Sequence, residues 1–292
     1  MRALALVVLL ALPLAARADA PPLPAKFRMG YLSDRVEYSV QYMAPALEWF
    51  RQKLAPLGVR EVSLEVAPSL EEMGDWVRSG KVDVFVSTPY PVLKTARIAG
   101  VRPVLQGIPL KVKHSAIYVR ADSAIKTLAD LDGKRLAFTF TYSSPGYFVP
   151  ILHLMSHGFV IDHAVPGRKV VYTSLTGHYT NSLYWLYFGR CDAAAVGDDD
   201  WVKLAPRLQQ SIRLLDTSDA YPGFFVLISP TWTPAQQQAI THFLSEMHTD
   251  PAGRALLHNA YSCDRMAPLD PPVLKWIQDA DAAITALGAG RN

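Results

Sequence analysis

The sequence predicts an α/β protein of two lobes, each a mostly parallel sheet flanked by helices. Short apolar runs alternate with helix-patterned segments along nearly the whole chain, the rhythm of strand–helix–strand units. The alternation falls into two series, one ending near His114 and one beginning at Ser115. The ~270 residues left after an expected export signal exceed the usual size of a single core. In open sheets of this kind, ligands sit beyond the C-terminal ends of the strands. The loops that follow strands are therefore where binding chemistry is sought.

Residues 1–20 come first. Arg2 precedes an apolar run over 3–16, and Ala16-Arg17-Ala18 and Ala18-Asp19-Ala20 are two small-residue cleavage sites. This is the pattern of a secretory signal peptide. The run is shorter than the ~20 residues of a spanning helix. No cysteine near the cleavage site offers a lipid anchor, and no later stretch is long and apolar enough to span a bilayer. A soluble, exported mature protein is expected.

The first series opens with a strand at 27–32. Helical spacing of apolar residues over 42–54 ends at Pro56 and Gly58. A strand at 62–66 and a short helix at 70–78, stopped by Gly80, follow. Residues 82–87 are an apolar strand bounded by Thr88-Pro89-Tyr90-Pro91, and 92–99 a helix closed by Gly100. The second series has strands at 116–120, 135–140, 170–173 and 192–196, with a helical turn at 128–131. Its helices, 147–157 and 182–188, end at Gly158 and Gly189. A strand at 224–229 precedes a helical tail from Pro234, with helices at 235–247, 252–259 and 272–287.

Three strand ends carry chemistry: 88–90, 141–146 and 197–200. In the second, Thr141, Tyr142, Ser143 and Ser144 precede Pro145, Gly146 and a helix start. A helix's first turn offers unpaired N–H groups and the positive end of its dipole, so an oxyanion is stabilised there. Ser143 and Ser144 can donate their hydroxyls, and Gly146 and Tyr147 their backbone N–H groups. The competing reading is that the two serines only cap the helix. His178 can donate in either charge state, or be a surface turn residue. Tyr90 can donate its phenol, or merely pack in a Pro-flanked turn. An aspartate of the run Asp198, Asp199, Asp200 can accept from a protonated ligand oxygen and so select P–OH over sulfate, the others serving as a solvated helix start. Tyr38, in the expected loop after the first strand, is a further candidate by position. His114, His153, His157 and His163 read as structural or exposed. The aromatic group Tyr184, Trp185, Tyr187 and Phe188 reads as core.

At this point the chain resembles a known family. Three segments carry the likeness: VDVFVSTPYPVLKTA (82–96), SAIYVRADSAIKTLADLDGKRLAFTFTYSSPGYFVP (115–150) and TGHYTNSLYWLYFGRCDAAAVGDDDW (176–201). Together they are similar to type II periplasmic substrate-binding proteins, the phosphate/phosphite/phosphonate branch of ABC-transporter receptors. The resemblance implies the two-lobed type II fold with a ligand cleft between the lobes, with 21–114 as the first part of lobe 1 and 115–222 as lobe 2. Residues 223–292 would return through the hinge and complete lobe 1 with C-terminal helices. It implies a ligand-reaching Tyr90, an oxyanion turn at Ser143-Ser144-Pro145-Gly146, and polar contacts from Gly177-His178 and 198–200. Pro145 departs from the pattern, standing where the family has a hydroxyl residue. Tyr179 stands where it has an aspartate, and the triple aspartate is more acidic than the pattern.

The implied function is capture of a small oxyanion (phosphate, phosphite or a phosphonate) in the periplasm and delivery to an ABC-transporter permease. The alternatives are a sensor docking on a histidine kinase, or a different small organic ligand on the same fold. A monomer without cofactor is expected. An enzyme is disfavoured, because the chain has no G-x-S-x-G, paired catalytic carboxylates or metal set. The net charge is +3, too weak for a nucleic-acid or membrane-surface argument. Cys191 and Cys263 are the two cysteines. In an exported protein they permit one disulfide, and the other reading is two buried thiols.

Overall fold

The computed structural model describes residues 23–33, 36–162 and 165–289. The expected signal at 1–20 and His163 lie outside them. The chain forms two six-stranded sheets. The first takes β1 (Lys26–Leu32), β2 (Glu61–Ala67), β3 (Val84–Ser87), β4 (Leu105–Pro109), β11 (Phe225–Ile228) and β12 (Cys263–Ala267), in the order β12-β4-β11-β3-β1-β2. The second takes β5 (Ser115–Arg120), β6 (Lys134–Phe138), β7 (Phe159–Ile161), β8 (Lys169–Leu175), β9 (Ala193–Gly197) and β10 (Ile212–Thr217), in the order β10-β5-β9-β6-β8-β7.

Both sheets are mixed. β1 is parallel to β2 and β3, and β6 and β8 anchor the parallel part of the second sheet. β5 runs against β9, and β11 against β3 and β4. The reason lies in the crossings. The chain crosses between the lobes after β4 and after β10, and the strand that follows each crossing, β5 and then β11, runs against both its neighbours.

Nine helices surround the sheets among the described residues: α1 (Val36–Leu54), α2 (Leu70–Ser79), α3 (Pro89–Ala99), α4 (Val149–Ser156), α5 (Tyr179–Tyr187), α6 (Pro206–Ser211), α7 (Pro234–Ser245), α8 (Pro251–Tyr261) and α9 (Pro271–Ala289). Among the described residues no helix is long and apolar enough to cross a membrane. Central strands are buried on both faces. Val84 and Val226 face a core with Phe27, Met29 and Trp232. Their neighbours Phe85 and Leu227 face another, which continues through Tyr90 to Phe148, Phe138 and Leu136 of the second lobe. Asp83, fully buried, accepts from the Arg28 backbone N–H and guanidinium at 2.7–2.9 Å and from Trp232 Nε1 at 2.8 Å.

Several expectations are corrected. Tyr38 lies within α1, not in a loop, because the helix starts at Val36. α3 begins at Pro89, so Tyr90 is helical; proline's fixed φ suits a first turn. α5 begins at Tyr179 rather than 182. Cys191 and Cys263 are free and buried, one packed against the second sheet and the other opening β12 in the first. Burial pushes both thiols up to about 12. Tyr184, Tyr187 and Phe188 are exposed rather than core, stacking and edge-packing on one another at the surface.

Candidate ligand-binding cleft

The C-terminal ends of β1 and β3 face the 140–145 turn and the start of α5 across a cleft of about 530 Å³. The first lobe contributes Tyr31, Tyr42, Ser87, Thr88, Phe224 and Tyr261. The second contributes Phe140, Tyr142, Ser143, Pro145, Tyr179 and Lys203.

The hydroxyl-rich turn is a wide helical turn, Ser144–Phe148, that runs into α4. Phe148 N–H donates to Ser143 O and Val149 N–H to Ser144 O, both five residues back. Pro150 follows without an N–H, so the ladder tightens only beyond it. Ser143 Oγ caps this turn by accepting from Gly146 N–H at 3.0 Å. That N–H is therefore held inside the protein. Ser144 is fully buried, and its Oγ accepts from Tyr90 N–H across the lobes at 2.9 Å. Tyr147 is buried edge-on against Phe138 at 5.8 Å. Ser143 and Pro145 are the members of this turn that line the cleft.

Tyr90 lies behind the cleft wall. Its ring stacks on Phe148 at 4.4 Å with planes 17° apart. The first turn of α3 thus presents no N–H to the cleft: Pro89 and Pro91 have none, and that of Tyr90 is engaged by Ser144.

His178 is exposed and caps α5, its Nδ1 accepting from Thr180 N–H at 3.3 Å. It carries Tyr179 to the cleft without lining it. Asp198 and Asp199 line a neighbouring hollow with Lys111 and Lys113, where Asp199 stands 3.8 Å from Lys113 Nζ. Asp200 is turned inward. Its Oδ2 accepts from Gly197 N–H at 3.2 Å and its Oδ1 from Lys203 Nζ at 2.8 Å. Burial pushes the Asp200 carboxyl up and outweighs that pairing. For Lys203 burial acts downward, but Asp200 more than offsets it and raises the ammonium above its ordinary range. The ammonium also lies 5.2 Å from the centre of the Tyr179 ring.

The structure thus brings Ser143 to the cleft and keeps Tyr90, Ser144, Gly146 and Tyr147 together in the seam behind it. His178 stands at the rim of α5, Asp198 and Asp199 at the neighbouring hollow, and the side chain of Tyr38 outside the described residues. Sequence reasoning missed Lys203 and the phenols of Tyr31, Tyr42, Tyr142, Tyr179 and Tyr261. A signal for Lys203 existed: it stands three residues after Asp200, just past the strand end at Gly197. Tyr142 stands in the hydroxyl cluster before Pro145, and the other phenols carried only their positions near element ends. Among the described residues no group of three or more His, Cys, Asp or Glu could hold a metal ion.

The sequence pattern of the family described as "ABC transporter, phosphonate, periplasmic substrate-binding protein" matches residues 29–272. No curated protein sequence matches the chain. Among solved structures, a Xanthomonas citri protein bound to chloride ion superposes with a TM-score of 0.81 at 21% identity, covering 91% of this chain and 99% of that one. PhnD1 from Prochlorococcus marinus, in complex with methylphosphonate, gives 0.65 at 15% identity over 90% and 99%. The aliphatic sulphonate binding protein SsuA from Escherichia coli gives 0.59 at 17% over 91% and 88%. At these identities the superpositions establish the two-lobed binding-protein fold.

Proposed function

The chain belongs to the phosphonate periplasmic substrate-binding family of ABC transporters, and on that premise we propose that it captures a small oxyanion between its lobes for delivery to a membrane permease. The family is one of periplasmic transport components rather than of enzymes. The observation that carries the reading is Lys203, an ammonium held by Asp200 and Tyr179 at the wall of an interlobe cleft. It supplies a fixed positive charge where the second lobe meets the ligand. Ser143 keeps its O–H as a donor while its oxygen caps the turn, and Tyr179 adds a phenol beside the ammonium.

The structural relatives in complex with methylphosphonate and the sulphonate binder support an oxyanion with a carbon substituent. Lobe closure about the hinge is the expected motion on binding. None of the three aspartates provides the expected P–OH acceptor: Asp200 is tied up by Lys203 and Gly197, and the other two line the neighbouring hollow. On this reading the acceptor that would exclude sulfonates falls away, and sulfonates qualify beside the phosphorus oxyanions.

Calorimetric titration with methylphosphonate, phosphite, phosphate and methanesulfonate tests the reading. At least one binds, and Lys203→Met weakens it roughly 10- to 100-fold, the worth of a charge-assisted hydrogen bond. A protein that binds none of the four, or whose affinity is indifferent to Lys203→Met, does not work this way.

A further inference from the structure

The cleft has far more aromatic wall than a bare oxyanion needs. Eight of the eighteen described side chains that line it are aromatic, against 10% over the whole chain. Six of them come in pairs. Tyr31 and Tyr42 meet at 6.5 Å, Phe140 and Tyr142 at 4.3 Å, and Phe224 and Tyr261 edge-on at 5.1 Å. The volume of about 530 Å³ is in the range that holds organic ligands.

The charge available is small. Lys203 is the one ionised side chain among the described lining residues, and Asp200 already faces it at 2.8 Å. The α3 start lends no N–H, since Pro89 and Pro91 have none and that of Tyr90 goes to Ser144. Among the described lining residues a second negative charge on the ligand finds no second cation to meet it, and burying it uncompensated is costly.

Resting on the oxyanion reading above, we propose that the cleft takes an organic monoanion with an aromatic body. The anionic head meets Lys203 and Ser143. The ring lies against the Tyr31–Tyr42 and Phe224–Tyr261 pairs, where ring–ring contact adds to simple area burial. Inorganic phosphate and methyl-substituted anions leave most of that wall unfilled, so they bind more weakly.

Titration of the purified protein with benzenesulfonate, methanesulfonate, phenylphosphonate, methylphosphonate and inorganic phosphate tests this. Each phenyl compound binds at least about tenfold tighter than its methyl partner, a difference of roughly 1.4 kcal/mol. At alkaline pH, where an aryl phosphonate is a dianion and a sulfonate is not, benzenesulfonate binds tighter than phenylphosphonate. Phe224→Leu narrows the phenyl-over-methyl ratio at least about threefold, or roughly 0.7 kcal/mol. Methyl compounds or phosphate binding as tightly as the phenyl compounds overturn the aromatic body and leave the oxyanion reading intact. A tighter phenylphosphonate dianion overturns the single charge, and a ratio unmoved by Phe224→Leu overturns the placement of the ring. Failure of all five to bind sinks the oxyanion reading and this inference together.

Discussion

Gly146 is a glycine for reasons of space. A Cβ there stands 2.4 Å from both Cγ2 and Oγ1 of Thr139, closer than real atoms approach. Thr139 is itself buried, and its hydroxyl has no partner among the described residues. Gly146→Ala forces this side chain aside in a packed seam, at a cost of about 1–3 kcal/mol. A lower urea midpoint at unchanged slope is the expected readout, and Thr139→Ala in the same chain recovers part of it. An unchanged midpoint for the single variant means the seam has room. The residue types at 141–146 were legible as a polar turn before a helix. Which hydroxyl lines the cleft was not. Ser144 finds its partner in Tyr90, 54 residues away, and no local pattern encodes such a contact. Lys203 was overlooked because an acid–base pair three apart more often marks a solvated helix face.

Elements with strong local signals were legible and those without were not. β3 and β9 are apolar runs and α2 ends on Gly80. β7 has three residues, α6 has six, and β12 reads CDRMA; such elements exist because a neighbouring strand or turn supplies their partners. Helix starts came out late in the sequence reading where proline stood at the boundary, as at Pro89. The start of α8 makes a prediction of its own. Asp250 caps it by accepting from Gly253 N–H at 2.9 Å, and reaches back to α1 through Lys53 Nζ at 2.5 Å and Trp49 Nε1 at 2.8 Å. The Lys53 hydrogen bond foremost, then Trp49 and Gly253, hold its carboxyl well below the usual carboxylate range. A depressed folded pKa gives stability that is present above the unfolded value of ~3.9 and lost as the pH falls toward the folded one. Asp250→Asn should therefore lower the melting temperature at neutral pH and converge on wild type in acid. Equal offsets at both pH values rule out this linkage.

At the scale of the molecule, the lobes meet through a buried seam. Phe148 is fully buried against Tyr90, and Ser144 receives the Tyr90 N–H. Ser144→Ala leaves that N–H without its partner, at about 1–3 kcal/mol. Loss of stability together with a shifted lobe angle in solution scattering is expected; a variant unchanged in both shows the tie to be incidental. The thiols give a second check. Neither Cys191 nor Cys263 should react in the folded protein, and both should react once it is unfolded without reductant; a zero count after unfolding means that they pair. The alternating pattern and the three family-like segments determined the α/β class and the kind of binding protein, because periodicity and strand-end motifs are local properties of the chain. The tertiary structure alone decided which groups line the cleft. Capping at Ser143, docking at Ser144 and the turning-in of Asp200 withdraw donors and acceptors from the cleft. What they leave at the cleft wall is Lys203 and a set of rings, gathered from strand and helix ends distant in sequence.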